Sequence, residues 1–331
     1  MIVAVFGAKP YDKKYFEQEN EHFAHELTFL EPHLNPLTAK LASGFDAVCA
    51  FVNDEVDSSC LQALSEGGVK TVALRCAGFN NVDLNAAELL GISVVRVPKY
   101  SPHGVAEHAL TLIMALNRKI YRAYNRVREN NFSLEGLLGF NLNTKTVGVI
   151  GTGEIGAVFC NIVKGLGCNV IAYDPYPNQA CIASGIEFVD KETLLKQADI
   201  ISLHCPLTPD TQHLINHDAI GMMKEGVMLI NTSRGALIDT VAVIKGLKEG
   251  KVGYLGLDVY EEEGDLFFED ISDVILEDDT FARLLTFPNV LITGHQAFFT
   301  SDALTSIAVT TLQNLKDIEQ TQQCANLVSA N

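Results

Sequence analysis

The sequence predicts an α/β protein made of two doubly wound parallel-sheet domains. Ten short apolar runs rich in Val and Ile alternate with helical patterns along the chain. Near-continuous apolar runs suit parallel strands covered on both faces, with the helices as crossovers. Ten strands crowd a single sheet, and 331 residues are enough for two domains. Two prolines and a glycine in VPKYSPHG, residues 97–104, break the alternation where a domain border would fall.

Taken in order, IVAVF (2–6) reads as the first strand; it lacks the basic start and long apolar core of a secretion signal. AVCAFV (47–52), TVALRC (71–76) and SVVRV (93–97) continue that domain. After the break a long helix is predicted from Val105 to Asn130. The second domain then takes TVGVIG (146–151), NVIAYD (169–174), DIISLHC (199–205), VMLIN (227–231), YLGLDV (254–259) and VLIT (290–293). In the last stretch, 301–320, Leu304, Ile307, Leu312, Leu315 and Ile318 recur at helical spacing, which predicts a helix returning to the first domain. Residues 1–100 plus 298–331 then form one domain, and 101–297 form the other, inserted into it.

Composition removes several function classes. A net charge of −17 argues against nucleic acid or an anionic membrane as partner, because both need clustered Lys and Arg. No window approaches the ~18 apolar residues that span a bilayer. The eight cysteines are scattered, with no C-x-x-C pair to suggest zinc or redox chemistry, so no metal site is expected. Cysteines inside apolar runs act as small hydrophobes, and the pattern fits the reducing cytoplasm.

TVGVIGTGEIG runs a strand into Gly151-x-Gly153-x-x-Gly156 and opens a helical pattern over Ala157–Leu166. A lone GxGxxG is weak evidence, but here the next strand ends on Asp174, eighteen residues past Gly156. Glycines for a tight turn, a helix N-terminus for phosphates and an acid for a ribose diol together make a Rossmann dinucleotide site. Asp174 is followed by Pro-Tyr-Pro, with no Arg or Lys for a 2′-phosphate, so NAD is favoured over NADP.

Ligands of an open parallel sheet lie beyond the carboxyl ends of its strands. There VMLIN leads into Thr232-Ser233-Arg234-Gly235, YLGLDV into Tyr260 and three glutamates, and VLIT into Gly294-His295. If the three strands share a sheet, an Arg, a Glu and a His meet at one mouth. Such a trio suits redox chemistry on a 2-keto acid. Arg offers paired donors for a carboxylate, and His can protonate the ketone oxygen as hydride reaches carbon. A carboxylate on the other imidazole nitrogen would stabilise the charged ring. Spacing alone does not choose among Glu261, Glu262 and Glu263.

The loops NTSRGALID, GLDVYEEE and ISLHCPLTPDTQHLI, with GTGEIG, resemble the D-isomer-specific 2-hydroxyacid dehydrogenase family. YDKKYF, LRCAGFNNVDL, RVPKYSPHGVAEHA and TGHQAFFT resemble its branch that ferments pyruvate to D-lactate. The likeness covers nearly the whole chain. It implies a Rossmann NAD-binding domain inserted into a flavodoxin-like substrate (catalytic) domain, and reversible reduction of pyruvate to D-lactate by NADH.

Carried over residue by residue, the resemblance assigns Arg234 to the substrate carboxylate, Glu263 to the carboxylate paired with the catalytic histidine, and His295 to the proton donor. It assigns Asp174 to the ribose, and Glu154 and Ile155, within the Gly151, Gly153 and Gly156 turn, to the pyrophosphate. Cys205, Pro206 and Thr211 fall on the adenosine side, and Thr232, Ser233, Arg234 and Asp258 on the nicotinamide side. The backbone at Ala77 and Gly78 would help hold the substrate carboxylate, while Phe51, Tyr100 and Phe298 shape a pocket for a methyl group.

Many members of the family carry proline where this chain has Gly294. The acidic stretch 264–280 reads first as a solvated loop; the sharper alternative packs Leu266, Phe267 and Phe268 near the site or an interface. Arg118, Lys119, Arg122, Arg126 and Arg128 cluster on the predicted long helix. The resemblance implies a homo-oligomer there, a dimer through the NAD domain with a tetramer as the larger assembly, and the basic face could meet the acidic stretch of a neighbouring subunit. Two alternatives stand beside this reading. One is a dehydrogenase for another small D-2-hydroxy acid; the other, of a different class, is an NADH-sensing transcriptional corepressor on the same fold.

Overall fold

The computed structural model describes residues 1–268 and 270–330. It divides into two compact units, Met1–Ser101 with Phe299–Asn331, and Pro102–Phe298. Phe298 therefore belongs to the same unit as His295. Among the described residues the strands of the first unit are β1 (Ile2–Val5), β2 (Glu26–Phe29), β3 (Ala47–Ala50), β4 (Thr71–Leu74) and β5 (Ser93–Val95). Those of the second are β6 (Thr146–Ile150), β7 (Asn169–Tyr173), β8 (Glu187–Phe188), β9 (Ile200–Leu203), β10 (Val227–Asn231), β11 (Val252–Leu257) and β12 (Val290–Ile292). A last strand, β13 (Leu327–Val328), returns to the first sheet.

The first sheet has the order β13-β5-β4-β3-β1-β2, and the second β12-β11-β10-β9-β6-β7-β8. Strand order reverses between β1 and β3 in one and between β6 and β9 in the other, which gives a flavodoxin-like and a Rossmann arrangement. All neighbouring strands are parallel except β13, which pairs antiparallel with β5. The first sheet is therefore mixed at one edge, not wholly parallel.

Each sheet is covered on both faces, so its central strands read as unbroken apolar runs. In the first unit, Leu61 and Leu64 pack in one cluster, and Phe16, Leu312, Leu315 and Ile318 in another. In the second unit, Leu112, Ile113, Leu116 and Phe159 form one cluster, and Leu194, Leu229, Leu247 and Leu255 another. Helix Ser301–Thr321 lies where periodicity placed it, with Thr300 Oγ1 accepting from Ala303 N at 3.2 Å as its N-cap.

Three strands carry no clear mark in the sequence: β2, β8 and β13. All are outermost in their sheets and have no fully buried residue. β2 is interrupted by Glu26 and Thr28, and β8 and β13 are two residues long, so none makes the apolar run that marks a doubly covered strand, whereas the edge strand β12 keeps one. The predicted 105–130 helix is also corrected. It forms two helices, Pro102–Arg118 and Ile120–Arg128, separated by Lys119 at a left-handed φ of 50°. Lys119 Nζ donates to Leu138 O, tying the break to the segment beyond the second helix. Pro102 begins the first helix, because its missing N–H costs nothing in the first turn.

Candidate active site

In the second unit every strand is parallel, so the carboxyl ends of β6, β7, β9, β10, β11 and β12 share one edge of the sheet. The glycine turn comes directly after β6, at the reversal of strand order. Gly151 has φ +92°, and a Cβ there would stand 2.6 Å from the backbone of His204 and Cys205. A Cβ at Gly156 would meet Gly151 O at 2.0 Å. Both glycines are demanded by the turn's own packing. Gly153 is different, because nothing lies within 4 Å of where its Cβ would be. Its bareness opens space at the N-terminus of helix Glu154–Gly165, which no side chain caps. A pyrophosphate fits that combination of open approach and uncapped amides.

Asp174 stands beside this turn. Its Oδ2 accepts from Thr152 N at 2.6 Å and Thr152 Oγ1 at 2.9 Å, and its Oδ1 from Tyr176 N at 2.8 Å. The acid is thus aimed by the loop it closes. Beyond β9, Cys205 O accepts from Ser233 Oγ at 2.7 Å, and Pro206 O from Thr211 Oγ1 at 2.7 Å. The first of these bonds ties the end of β9 to that of β10, and the second braces the loop after β9. Thr232 is 7% exposed and its Oγ1 has no hydrogen-bond partner, an orphaned hydroxyl at the strand ends that a bound dinucleotide could satisfy.

β10, β11 and β12 lie side by side. After β10, Asn231 Nδ2 donates to Arg234 O at 2.8 Å and Arg234 Nη1 donates to Ser233 O at 2.7 Å. No carboxylate among the described residues lies within ion-pair distance of Arg234. The next residue, Gly235, is forced: a Cβ there would stand 2.0 Å from Tyr260 C and O. Only glycine lets the loop carrying Arg234 press against the loop carrying the glutamates.

Among those glutamates the structure separates the roles that spacing could not. Glu263 Oε1 lies 2.7 Å from His295 Nδ1, and Glu263 Oε2 accepts from Tyr260 N at 3.0 Å. Glu261 turns away, to His213 Nε2 at 2.5 Å and Thr240 Oγ1 at 2.9 Å. A carboxylate only accepts, so it fixes the proton of His295 on Nδ1 and leaves Nε2 as the atom that can exchange one. The His295 and Glu263 side chains are 16% and 21% exposed, partly screened yet reachable.

His295 itself has φ 51°, a left-handed backbone that its loop must hold. Asp258 holds it by taking three consecutive amides. Its carbonyl accepts from His295 N at 2.7 Å, Oδ1 from Gln296 N at 2.9 Å, and Oδ2 from Ala297 N at 2.8 Å. Asp258 is fully buried. Burial pushes its carboxyl up, but hydrogen bonds from His108, Thr293 and Ala297 N outweigh that and hold it below the usual carboxylate range. The residue expected on the nicotinamide side is thus committed to the loop that carries His295.

The acidic stretch departs from its first reading as a solvated loop. Phe267 is 7% exposed and packs edge-on to Phe281 at 5.9 Å. Phe268, at a left-handed φ of 71°, lays its ring 5.5 Å from His295. Phe298 meets the same imidazole edge-on at 6.4 Å. Further along, Val274 and Ile275 are exposed, and Glu269 lies outside the described residues. In the first unit, Phe51 and Ala77-Gly78 come after β3 and β4. The Phe51 ring lies under the Arg75 guanidinium at 4.9 Å, and Ala77 O accepts from Arg96 Nη1 at 2.8 Å. Tyr100 is half-buried near the end of that unit's first chain segment.

The second unit carries the sequence of a known domain. Residues 110–297 match the family model described as D-isomer specific 2-hydroxyacid dehydrogenase, NAD binding domain. The chain belongs to the D-isomer-specific 2-hydroxyacid dehydrogenase family. It is 56% identical to the D-lactate dehydrogenase of Escherichia coli (strain K12), over 98% of this chain and 99% of that one. The apo structure of D-lactate dehydrogenase from Escherichia coli superposes with a TM-score of 0.91 at 54% identity, covering 99% and 100% of the two chains. A D-lactate dehydrogenase from Aquifex aeolicus, solved with NAD and lactic acid, superposes with a TM-score of 0.86 at 31% identity, covering 99% of each. The fold of a D-2-hydroxyacid dehydrogenase, two parallel-stranded units with one binding NAD, is thus the fold of this chain.

Two features of this dehydrogenase site go beyond what the sequence predicts. His108, on helix Pro102–Arg118, reaches Thr293 Oγ1 at 3.0 Å and Asp258 Oδ1 at 3.3 Å. The His213–Glu261 pair braces the loop after β11. A histidine among Ala106, Ala109 and Leu112 on a buried helix face was the available signal for the first; the second joins residues far apart in the chain and left none.

Proposed function

We propose that this chain is an NAD-dependent D-lactate dehydrogenase, reducing pyruvate to D-lactate and running in reverse. The observation that carries the reading is the pairing of His295 Nδ1 with Glu263 at 2.7 Å, in the same sheet as Arg234 and in the unit with the dinucleotide turn. The activity named for the 56%-identical relative supports the choice of substrate.

Arg234, with no carboxylate partner among the described residues, receives the carboxylate of pyruvate, and its paired N–H donors orient the keto group. When bound, the reduced nicotinamide supplies the hydride. His295 holds a proton on Nε2 and passes it to the carbonyl oxygen as that oxygen gains charge. Glu263 holds Nδ1–H throughout, fixing the ring's orientation and stabilising it while positive. In the oxidation direction His295 Nε2 takes the hydroxyl proton back. Gly151, Gly153, Glu154, Ile155 and Gly156 would hold the pyrophosphate, Asp174 the ribose diol, Cys205, Pro206 and Thr211 the adenosine side, and Thr232 and Ser233 the nicotinamide side. Ala77 and Gly78 would add backbone donors for the substrate carboxylate. Phe51, Tyr100 and Phe298 would bound its methyl group, and the ring of Phe268 on His295 supports a small, apolar enclosure.

We further infer a homo-oligomer assembled through the NAD-binding unit. Helix Ile120–Arg128 buries none of its residues, and Phe132, Leu134 and Leu138 are 71%, 83% and 87% exposed. Apolar side chains so bare in one segment mark an interaction surface. The eight cysteines are free thiols, seven of them buried, which supports a reducing, cytoplasmic setting. Among the described residues no helix is long and apolar enough to cross a membrane.

NADH oxidation with purified protein and pyruvate, then the reverse reaction with D- and L-lactate separately, tests the reading. Turnover with pyruvate and return only from D-lactate is expected. NADH binding without turnover of pyruvate would overturn it and direct attention to larger 2-keto acids.

A further inference from the structure

We propose that His108 is a positioning residue for His295, acting through Thr293 and Asp258; this rests on the assignment of His295 as the proton donor. The hydroxyl of Thr293 has one proton to give. Its Oγ1 lies 2.5 Å from Asp258 Oδ1 and 3.5 Å from Leu257 O, so the proton goes to Asp258. The same oxygen lies 3.0 Å from His108 Nε2 and can only accept there. His108 Nε2 therefore carries a hydrogen, a requirement reinforced by Asp258 Oδ1 at 3.3 Å.

This sets a donor order running from a helix to the catalytic loop. His108 donates to Thr293, Thr293 donates to Asp258, and Asp258 accepts the amides of His295, Gln296 and Ala297 through its carbonyl and both carboxylate oxygens. The chain brackets His295 from both sides, since Thr293 lies two residues before it and Ala297 two after. Thr293 also returns its own amide to Leu257 O at 2.9 Å. With Gly294 between Thr293 and His295, the link has no side chain of its own to stiffen it, and His295 sits at a left-handed φ of 51°. A non-glycine residue stays in that region only when its surroundings hold it there.

His108 is well placed to supply that hold. Its side chain is 14% exposed, and its helix neighbours Ala106, Ala109 and Leu112 are buried. The helix is therefore an anchored support, and its imidazole is the only side chain among the described residues that donates to Thr293 Oγ1. Loss of that donor leaves Thr293 free to rotate away from Asp258, and the His295 ring drifts from the geometry in which proton and hydride arrive together. Substrate and cofactor need not touch His108 for this to be felt in turnover.

Three substitutions separate positioning from mere packing. Gln places an amide nitrogen near the position of imidazole Nε2, Asn places one near Nδ1, and Phe keeps the ring without a donor. His108→Asn and His108→Phe should lower kcat for pyruvate by about tenfold to 100-fold, the scale of a misplaced catalytic group, with NADH binding unmoved. His108→Gln should retain most of the wild-type kcat. Amide hydrogen exchange of residues 293–298 should quicken in the Asn and Phe variants and not in the Gln variant. Wild-type kcat and exchange in the Asn and Phe variants would overturn the proposal. So would equal losses in all three variants with NADH binding lost alongside. If the wild-type protein reduced no pyruvate, the functional reading would fall, while the exchange pattern would still decide whether His108 holds the loop.

Discussion

Replacing Glu263 by Gln keeps the shape of the side chain and removes its charge from His295 Nδ1. The separation in the structure is 2.7 Å. At the dielectric of bulk water a pair at that distance is worth ~1.5 kcal/mol, and at an effective value of 20 it is worth ~6 kcal/mol. Since ~1.36 kcal/mol is a factor of ten in rate, the limits are about tenfold and about 10⁴-fold. Both side chains are partly exposed, at 16% and 21%, and the charges are spread over a ring and a carboxylate. The lower end therefore governs. In lactate oxidation the ring gains positive charge as Nε2 takes the hydroxyl proton, so loss of Glu263 raises that barrier, and kcat/KM for D-lactate should fall about tenfold to 100-fold. The assay is the initial rate of NAD reduction with D-lactate. Glu261→Gln serves as the control, since that carboxylate faces His213 and Thr240, and it should leave the rate in place. An unchanged rate in Glu263→Gln, or an equal loss in Glu261→Gln, would refute the pairing as a support for the charged ring.

The same geometry sets three further outcomes. Arg234→Gln removes charge-assisted bonds worth ~1.5–3 kcal/mol each, so kcat/KM for pyruvate should fall about 100-fold or more in steady-state kinetics. Gly235→Ala puts a Cβ 2.0 Å from Tyr260 C and O, and thermal unfolding should register a loss of ~1–3 kcal/mol or more, together with lost activity because the displaced loops carry Arg234 and Glu263; a wild-type Tm would contradict the contact. Asp258 keeps its charge below the usual carboxylate range, so its contribution to stability is present above the unfolded value of ~4 and disappears as pH falls through the lower folded value. Asp258→Asn should therefore lower stability at neutral pH by ~1–3 kcal/mol, since an amide nitrogen cannot accept from Gln296 or Ala297, and denaturant titrations should show a flatter loss below pH ~4 than in the wild type.

Much of the fold was legible because burial on both faces leaves a periodicity-free apolar run, and every run of that kind became a strand. The edge strands β2, β8 and β13 were not legible, since β2 mixes polar with apolar residues and the other two are only two residues long, while β12, equally unburied, kept an apolar run that showed. Likewise the break at Lys119 sits in a stretch with good helical pattern throughout. It is stabilised by the Leu138 carbonyl nineteen residues away, and local propensity knows nothing of that contact.

The same division runs through the site. Sequence alone determined the dinucleotide turn, the acid at the end of β7 and the presence of Arg, Glu and His after three strands, because these depend only on the order of residues along one chain. It also carried the family likeness, through motifs long enough to be specific. Only the tertiary structure decided which glutamate faces His295, that the protein's own packing does not require Gly153 to be bare, and that Asp258 and His108 stand behind the loop carrying His295. Those facts depend on which side chains strand register and helix docking bring within hydrogen-bonding reach of each other, and a one-residue change in either would reassign them.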